Sequence, residues 1–562
     1  MHELRLEASS MDDPSRTPVA IVGGGPVGLL LALFLDHHGC ESVVFDSEDS
    51  VLAEPRGSTH GARTMEHYRR LGLASRIREL GLPGPHSAGI SFFTRYSGHL
   101  LAHLPWPGAD ETRARVAAAD RTDQVPEPMH RANQMYVEQL LLAHAGTRPG
   151  ITLRYGHRVT AVRESGDRVT VAVTGPGGPR TWEARYAVGC DGGHSLVRRS
   201  LGISYTGEGS LDQDVLGRRA TAAHLRVPGL YGRFLREHAA WSNWVFNGEL
   251  ALNLIALNGA DEFFLLTSSA DPDDPGEGAL VELVRRAVGA PVEVEVLGRR
   301  AWTPGAALVA ERFGAGRVWL AGDAAHLFTP NGGFGMNTGV DDAANLAWKL
   351  AAAVQGWAGP GLLPSYEAER RPVALRNTRA ARELNIALGA IGRPDLLEED
   401  GAEGESTRRR TAAELAAYGL LTMDTLGVQL GARYDASPVV LTDGDTPPPD
   451  DFVSYTPSGV PGGRAPHLWL DEEHGPGGSL FDRIGTGFTL LSLGDVPHDT
   501  SGFEKAARES GIPFSLVQVN DPAARELYGR DLALVRPDQH VAWRGNRPHK
   551  NPAEVLARAT GQ

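Results

Sequence analysis

The glycine-rich segment at residues 23–28, Gly-Gly-Gly-Pro-Val-Gly, constrains the fold of this chain more than any other feature. It lies between an apolar strand pattern at 19–22 and an apolar helix pattern at 26–38, and a second strand pattern follows at 42–45. In a G-x-G-x-x-G turn the glycines permit a tight turn, a close approach of the backbone to pyrophosphate and close helix–strand packing. The helix N-terminus binds phosphates, and an acidic residue after the second strand binds ribose hydroxyls. The alternative is a purely structural turn. The pattern predicts a dinucleotide site at Gly23, Gly25, Gly28 and Asp46.

Charge and composition restrict the class of protein and its partners. The 562-residue chain has a net charge of −14 and is 41% hydrophobic, which is typical of a soluble multidomain protein that binds neither nucleic acid nor anionic membranes. Residues 19–35 are uncharged, but their glycines and proline favour a turn over a membrane span. The two cysteines, Cys40 and Cys190, form no metal or redox motif and fit a reducing cytoplasm. We therefore expect no metal site.

The order of strand-like and helix-like patterns predicts several folded units. Aromatic-rich strand patterns predict a sheet inserted into the nucleotide domain. A stretch rich in Pro, Gly and Asp at 436–465 predicts a linker. A Gly-rich turn near 332 is followed by a pattern that predicts a long helix from about 337 to 355. The last hundred residues follow a strand–helix–strand–helix–hairpin–helix order, which is thioredoxin-like but lacks CxxC and indicates a structural or assembly role. The predicted units are a flexible tail (1–17), the nucleotide domain (18–204 and 306–400), the inserted sheet (205–305), a helical segment with the linker (401–465) and the thioredoxin-like domain (466–562).

Three further segments carry a resemblance to a known family. Residues 190–198 read Cys-Asp-Gly-Gly-His-Ser-Leu-Val-Arg, residues 320–326 read Leu-Ala-Gly-Asp-Ala-Ala-His, and residues 330–337 read Pro-Asn-Gly-Gly-Phe-Gly-Met-Asn. Over about 18–380 the chain resembles the class A FAD-dependent aromatic hydroxylases, the family of p-hydroxybenzoate hydroxylase, and its C-terminal part resembles the longer phenol, chlorophenol and polyketide hydroxylases. The resemblance implies an α/β fold with a Rossmann-like FAD-binding domain, an inserted β-sheet domain for the substrate and a C-terminal thioredoxin-like domain.

The resemblance also implies roles for individual residues. Asp323 matches the carboxylate that binds the flavin ribityl chain, and Pro330 matches a proline whose carbonyl lies near the reacting atoms. His60 and His326 are candidates for deprotonating a phenol, although a lone histidine is more often structural. The predicted cofactor-binding residues are Gly23, Gly25, Gly28, Asp46, Arg56, Gln134, Asp191, Gly322, Asp323, Gly333, Gly335, Met336 and Asn337. The predicted catalytic residues are Pro330, Arg56 and His60, and the predicted substrate contacts on the inserted sheet are Trp241, Trp244, Phe246 and Asn253.

The expected function is that of a cytoplasmic FAD-dependent monooxygenase. The resemblance implies hydroxylation of a phenolic or other aromatic small molecule through a flavin hydroperoxide, with NADPH or NADH and molecular oxygen as co-substrates. Bacterial secondary metabolism, including antibiotic pathways, or aromatic degradation is the expected setting. The alternatives are an epoxidase or Baeyer–Villiger-type oxygenase acting on a polyketide, and a non-catalytic flavin-binding sensor. A nicotinamide-only dehydrogenase is disfavoured, because nothing after the first motif serves such a site. A homodimer is left open.

Overall fold

The computed structural model describes residues 15–210, 215–216, 220–270, 276–302, 306–471, 474–475, 477–495 and 498–562. Residues 1–14 of the predicted flexible tail (1–17) lie outside the described residues. Residues 15–17 belong to the first strand. Along the described part of the chain, no helix has the length and apolar character needed to cross a membrane.

The helices and strands alternate through the first two thirds of the chain. Those before the inserted sheet are β1 (Ser15–Val22), α1 (Pro26–His37), β2 (Ser42–Phe45), β3 (Thr59–His60), α2 (Ala62–Arg70), α3 (Ala74–Arg78), β4 (Ile90–Phe93), β5 (Leu100–Leu104), α4 (Ala109–Ala117), β6 (His130–Arg131), α5 (Gln134–Ala145), β7 (Ile151–Arg154), β8 (Arg158–Ser165), β9 (Arg168–Gly175), β10 (Gly178–Gly189) and α6 (Leu196–Ser200). Those that follow are β11 (Tyr205–Glu208), β12 (Ala220–Arg226), β13 (Ser242–Phe246), β14 (Ala251–Ala256), β15 (Glu262–Thr267), α7 (Glu277–Val288) and β16 (Glu295–Trp302).

The remaining elements return to the nucleotide domain and then form the C-terminal domain. They are β17 (Ala307–Ala310), β18 (Gly314–Ala315), β19 (Val318–Leu320), β20 (His326–Leu327), α8 (Phe334–Gln355), α9 (Ser365–Ala390), α10 (Ala402–Met423), α11 (Leu426–Leu430), β21 (Phe488–Leu493), α12 (Ser501–Glu509), β22 (Phe514–Val519), α13 (Pro522–Tyr528), β23 (Leu532–Val535), β24 (Val541–Gly545) and α14 (Pro552–Ala559). Short 3-10 or π turns lie at Tyr231–Leu235, Arg236–His238, Gly322–Ala324, Asn331–Gly333, Asp395–Glu398 and Leu480–Arg483.

The nucleotide domain is built on a mainly parallel sheet with the order β18-β19-β10-β1-β2-β7. β1 runs parallel to both β2 and β10, and β8 and β9 extend the sheet in antiparallel fashion from β10. Apolar residues of β1 are fully buried, and α1 packs against α8 across the core. In a sheet of this kind ligands bind outside the carboxyl ends of the parallel strands. The predicted Rossmann-like architecture is confirmed.

The inserted sheet has seven strands in the order β16-β12-β15-β14-β13-β4-β5. The inserted sheet was expected within residues 205–305, but two of its strands, β4 and β5, precede that range. β4 pairs in parallel with β13 about 150 residues later, and such long-range pairing leaves no local trace in the sequence. β11 lies inside the predicted range but pairs with β17 in a separate three-stranded sheet.

The C-terminal domain contains a four-stranded sheet with the order β22-β21-β23-β24. β21 is parallel to β22 and antiparallel to β23, which confirms the predicted thioredoxin-like order. The predicted linker at 436–465, all of which the structure describes, contains neither helix nor strand. It nevertheless packs against the neighbouring domains. The Leu441 N–H donates to the Ala542 carbonyl at 2.9 Å, and the Ser437 hydroxyl donates to Glu369 at 2.6 Å.

A buried cluster of charges joins the nucleotide domain to the C-terminal domain. Glu369 on α9 accepts hydrogen bonds from Lys349 Nζ at 2.6 Å and from both Arg536 Nη atoms at 2.6 and 2.8 Å. Arg536 in turn pairs with Asp538 at 2.6 Å. Beside them Trp348 of α8 packs edge-on against Phe488 of β21. Ionic and apolar contacts therefore hold the two domains in one arrangement.

Candidate functional site: a cavity between two sheets

A cavity of about 1260 Å³ lies between the carboxyl edge of the parallel sheet and the inner face of the inserted sheet. The β1–α1 turn, the end of β2 and the loop before α8 form one side, and β13, β14 and β15 form the other. Pockets for single small molecules usually measure roughly 300–1,000 Å³, so this cavity has room for a dinucleotide and a second ligand.

The β1–α1 turn has the geometry of a phosphate cradle. A Cβ atom on Gly23, whose φ is +107°, would lie 2.3 Å from the Cys190 carbonyl oxygen, and one on Gly28 would lie 1.9 Å from the Gly23 carbonyl oxygen. A Cβ on Gly25 would meet no atom within 4 Å, and Gly25 lines the cavity. No side chain caps the N-terminus of α1. The free backbone N–H groups and the helix dipole therefore favour an anion at Gly25.

Asp46 is held at the end of β2 by backbone donors. Its carboxylate accepts hydrogen bonds from the Gly24 N–H at 2.6 Å and from the Glu48 N–H at 2.9 Å, and it lines the cavity. The Tyr155 hydroxyl donates to the Gly24 carbonyl at 2.6 Å. The carboxylate predicted to bind a ribose is thus fixed beside the phosphate cradle.

Two further carboxylates face the cavity from the second and third motifs. Asp191 Oδ2 accepts hydrogen bonds from the Leu196 and Val197 N–H groups, whereas Oδ1 is buried without a hydrogen-bond partner among the described residues. Asp323 is exposed to the cavity, whose walls desolvate its carboxyl group and raise its pKa. Carboxylate oxygens without protein donors fit the hydroxyl groups of a sugar or ribityl chain.

The loop before α8 brings bare backbone to the cavity. Gly332 and Gly333 have φ values of +78° and +68°, and a Cβ on Gly333 would lie 2.8 Å from Thr59 Cβ. α8 begins at Phe334, three residues earlier than the predicted start at 337, and no side chain caps its N-terminus. The positive end of this 22-residue helix opens beside the cavity and favours negative charge on a bound group. Pro330 lines the cavity, and its carbonyl accepts from the Gly333 N–H at 3.1 Å.

Asn337 does not line this cavity but fixes the loops that do. Its Nδ2 donates to the carbonyls of Gly333 at 2.6 Å and Thr59 at 2.9 Å, and its Oδ1 accepts from the Gly61 N–H at 2.8 Å. Three hydrogen bonds from one side chain join the β3 region to the loop before α8. Asn337 is therefore a positioning residue.

Replacing Asn337 with alanine should weaken flavin binding without unfolding the protein. Ordering the freed loops on binding costs roughly 1–3 kcal/mol, which corresponds to a dissociation constant about 5- to 150-fold higher. Fluorescence titration of the apoprotein with FAD measures this. Asn258 is a matched control, because its side chain also fixes nearby backbone, with Oδ1 accepting from three N–H groups, but it lies outside the cavity wall. Equal losses of FAD affinity in the two variants would contradict the positioning role.

The other predicted residues divide between the cavity wall and its support. Gly335, Met336, Arg56 and Gln134 line the cavity, as do Trp241, Trp244 and Asn253 of the inserted sheet. The Gln134 side chain donates to Glu138, and burial raises the pKa of the Glu138 carboxyl. Within the described residues the Arg56 guanidinium has no hydrogen-bond or ion-pair partner, so it is free to contact a ligand. Gly28 and Gly322 lie behind the wall, where added Cβ atoms would collide with Gly23 or crowd Val27.

Besides Asn337, Gly28 and Gly322, three more predicted residues lie outside the cavity wall. His60 is fully buried, its ring nitrogens hydrogen-bond the Tyr68 hydroxyl and the Ala132 carbonyl, and burial lowers its pKa to about 3. His326 is also fully buried and pairs with Asp342 at 2.6 Å. Neither histidine reaches a ligand, which corrects the expectation that one of them deprotonates the substrate. Phe246 lies in a hydrophobic core instead of contacting the cavity.

Several wall residues were not predicted. Glu138 and Tyr155 lie beside the nucleotide turn, Arg131 lies on β6, and Tyr418 and Thr422 come from α10. Arg131 precedes Gln134 by three residues, but nothing in the local pattern shows which way it points. α10 reaches the cavity only because it packs on β5, the strand whose place in the sheet was also missed.

The wall as a whole fits FAD. The bare turn at Gly25 and the uncapped N-terminus of α1 can donate to a pyrophosphate, and the unpartnered Asp191 oxygen can accept from a sugar hydroxyl. The uncapped N-terminus of α8 can donate to a flavin ring along the same cavity. The described residues contain no group of three or more His, Cys, Asp or Glu side chains arranged to hold a metal ion. Backbone N–H groups and carboxylate oxygens are the groups that this wall offers to a bound organic cofactor.

Comparison with known proteins agrees with this geometry. The FAD binding domain family matches residues 16–381, and the aromatic-ring hydroxylase C-terminal family matches residues 458–562. The FAD-dependent monooxygenase opdD of Penicillium oxalicum is 33% identical over 505 residues, which cover 86% of this chain and 95% of that protein. The structure of the rebeccamycin biosynthetic enzyme RebC with reduced flavin superposes with a TM-score of 0.87 at 36% identity, covering 98% of this chain and 100% of RebC. A ternary complex of aklavinone-11 hydroxylase with FAD and aklavinone gives a TM-score of 0.78 at 30% identity, with 98% and 100% covered. The chain therefore belongs to the family of FAD-dependent aromatic-ring hydroxylases.

Proposed function

We propose that this enzyme hydroxylates a phenolic or fused-ring aromatic small molecule, with NADPH or NADH and molecular oxygen as co-substrates. One observation carries the proposal: a single cavity joins the dinucleotide cradle to an aromatic and aliphatic wall on the inserted sheet. The aklavinone bound to aklavinone-11 hydroxylase supports a substrate of polyketide type. The relatives of this chain include a 4-methyl-5-nitrocatechol 5-monooxygenase from Burkholderia, which supports a phenolic ring in the substrate.

In this proposal the cofactor is held along one side of the cavity. Gly25 and the N-terminus of α1 bind its pyrophosphate, Asp46 binds a ribose, Asp323 binds the ribityl chain, and Gly333 meets the flavin ring at the start of α8. The chemistry that bound FAD supplies is reduction by a nicotinamide and activation of molecular oxygen for transfer to an electron-rich ring. The dipole of α8 stabilises negative charge at its N-terminus.

The substrate is held by the opposite wall. Trp244, Phe264 and Leu266 present a flat apolar surface against which a ring can pack and exclude water. Tyr418 lines the same space, and its oxygen accepts from Asn331 Nδ2 at 2.8 Å. Burial keeps the pKa of Tyr418 above its usual value, so the phenol is neutral and its proton is available to a ligand oxygen. Pro330 lines the cavity beside the loop before α8, on the side proposed for the cofactor.

The test begins with the visible spectrum of the purified enzyme. We expect a yellow protein whose NADPH oxidation accelerates with a suitable phenol or hydroxynaphthalene, and a product that gains one oxygen atom from ¹⁸O₂. Hydrogen peroxide measured in the same reactions separates hydroxylation from uncoupled oxidation. Oxygen inserted next to a carbonyl or across a double bond would favour the Baeyer–Villiger or epoxidase alternative. Ligand binding with no faster NADPH oxidation would favour the sensor.

A further inference from the structure

Arg131 is a buried cation that has no acidic partner among the described residues, and it lines the cavity. It is 7% exposed. Its side chain donates one hydrogen bond to the Thr59 hydroxyl, and its Nε is buried with no acceptor among the described residues. By contrast Arg370, Arg464 and Arg536 each pair with a carboxylate in the protein.

This unpaired charge is costly for the folded protein. Burial lowers the pKa of Arg131, and no carboxylate in the described part of the chain opposes that effect. A guanidinium nevertheless stays charged in proteins, so the site holds a desolvated positive charge. Buried charges are normally paired, and a functional cavity is where the partner comes from a ligand.

Trp241 completes the arrangement. The Arg131 guanidinium lies over the Trp241 ring, 3.6 Å from its centroid, which orients the planar fork. Trp241 also lines the cavity, and its indole Nε1 is buried without a partner among the described residues. Both members of this stacked pair therefore line the cavity, and each carries a buried donor without a partner among the described residues. The pair lies on the inserted-sheet side, since Trp241 immediately precedes β13.

We infer that the substrate carries an anionic oxygen, a carboxylate or an ionised phenol, which pairs with Arg131 while its ring packs on the apolar wall of the inserted sheet. This inference rests on the proposed function and names the substrate class that the cavity selects. A planar oxyanion fits the geometry of the guanidinium donors. The charge-assisted hydrogen bond is stronger in a buried site, because water competes less for the two charged groups. A neutral ester or an unsubstituted ring leaves the cation unpaired and binds more weakly.

The experiment compares three ligands of one ring system on the FAD-loaded enzyme. The probes are 1-hydroxy-2-naphthoate, its methyl ester and 1-naphthol, titrated through the change in flavin absorption. The wild type should bind the acid roughly 10- to 100-fold more tightly than the ester. Arg131→Met should abolish this preference, because it weakens binding of the acid and removes the unpaired charge that disfavours the ester. Titrating 1-naphthol from neutral to about pH 10, where phenols ionise, separates a phenolate requirement from a carboxylate requirement.

Arg233→Met is the matched control, because Arg233 also stacks on an aromatic ring, at 4.9 Å from Phe234, but lies outside the cavity wall. Its acid preference should equal that of the wild type. Equal affinity of the wild type for acid, ester and naphthol overturns the inference, as does failure of the acid to bind at its solubility limit. Weaker FAD binding in Arg131→Met with the preference retained also overturns it, because the cation then serves the cofactor.

Two precautions keep the result decisive. If Arg131→Met does not accumulate as a folded protein, the inference is tested by the acid, ester and naphthol affinities of the wild type and of Trp241→Phe. Trp241→Phe should reduce the preference for the acid, because it removes one donor. Product analysis by mass spectrometry is scored separately from binding. If the acid is preferred in a way that depends on Arg131 but no oxygen is inserted, the anion site stands and the proposed function is wrong. If oxygen is inserted into neutral rings and the acid is not preferred, the proposed function stands and the anion site is wrong.

Discussion

Replacing Gly25 with alanine should give a folded protein that purifies with little or no flavin. The Gly25 backbone is extended, with φ −70°, and an added Cβ would meet no atom of the protein within 4 Å, so the fold tolerates it. The methyl group would instead occupy the space at the uncapped N-terminus of α1 where a pyrophosphate must approach. Steric overlap of this kind costs about 3 kcal/mol, and the FAD dissociation constant should rise roughly 100-fold or more.

The measurement is the ratio of flavin to protein absorbance, followed by FAD titration of the apoprotein and circular dichroism. Gly278 in α7 is the matched control, because its added Cβ also meets nothing within 4 Å but lies far from the turn. Gly278→Ala should keep full flavin content and gain up to about 1 kcal/mol of stability. Flavin content equal to that of the wild type in Gly25→Ala would show that this turn does not hold the cofactor.

Glu369→Gln should strongly destabilise the folded protein. Glu369 is fully buried and accepts from Lys349, Arg536, Ser437 and Asn345. The glutamine amide has the same shape as the carboxylate but carries no charge. It also places an NH₂ donor beside the donors of Lys349 and Arg536. Breaking a buried ion pair from one side costs about 3–5 kcal/mol, because the remaining charges stay desolvated. Urea unfolding followed by tryptophan fluorescence measures the loss.

The control is Glu405→Gln in the exposed pair of Glu405 with Arg409, whose side chains are 62% and 69% exposed. Its effect should stay below about 0.5 kcal/mol. A loss of similar size in both variants would mean that the buried cluster adds nothing beyond a surface pair.

The effect of Glu369 should also depend on pH. Burial alone would raise the pKa of its carboxyl, but Arg536 and Lys349 outweigh burial and lower it from 4.5 to about 2. A carboxyl whose pKa is depressed on folding stabilises the protein above its unfolded-state pKa and loses that contribution as the pH falls through the folded value. The difference in unfolding free energy between wild type and Glu369→Gln should therefore be constant above pH 4.5 and shrink towards pH 2.

The sequence was most informative where backbone geometry demands glycine. Gly23 and Gly333 adopt positive φ at close contacts, so the nucleotide turn and the loop before α8 could be located from composition and spacing alone. The start of α8 was placed three residues late, because Gly335 reads as a helix breaker although it lies within the first turn. The parallel sheet followed from the alternation of strands and helices.

Side-chain direction and depth could not be predicted to the same extent. Trp244 and Phe246 lie on one face of β13, since side chains alternate along a strand, yet only Trp244 reaches the cavity. Phe246 lies about 7 Å further along the strand and packs into the core beyond the cavity. Arg131 and Tyr418 become part of the wall only through pairings between segments distant in sequence, which no local pattern records.

The helix α8 has a consequence for chimeric enzymes. It is 22 residues long, about 33 Å, and it begins at the cofactor side of the cavity and ends against the C-terminal domain. Trp348 and Lys349 in its second half belong to the same packed unit as Arg536 and Phe488. Exchanging the C-terminal domain with that of a relative would separate a matched set of charges, so the graft must carry the second half of α8 and Glu369 with it. The natural crossover point for recombination therefore lies inside a helix and not at the proline-rich segment between the domains.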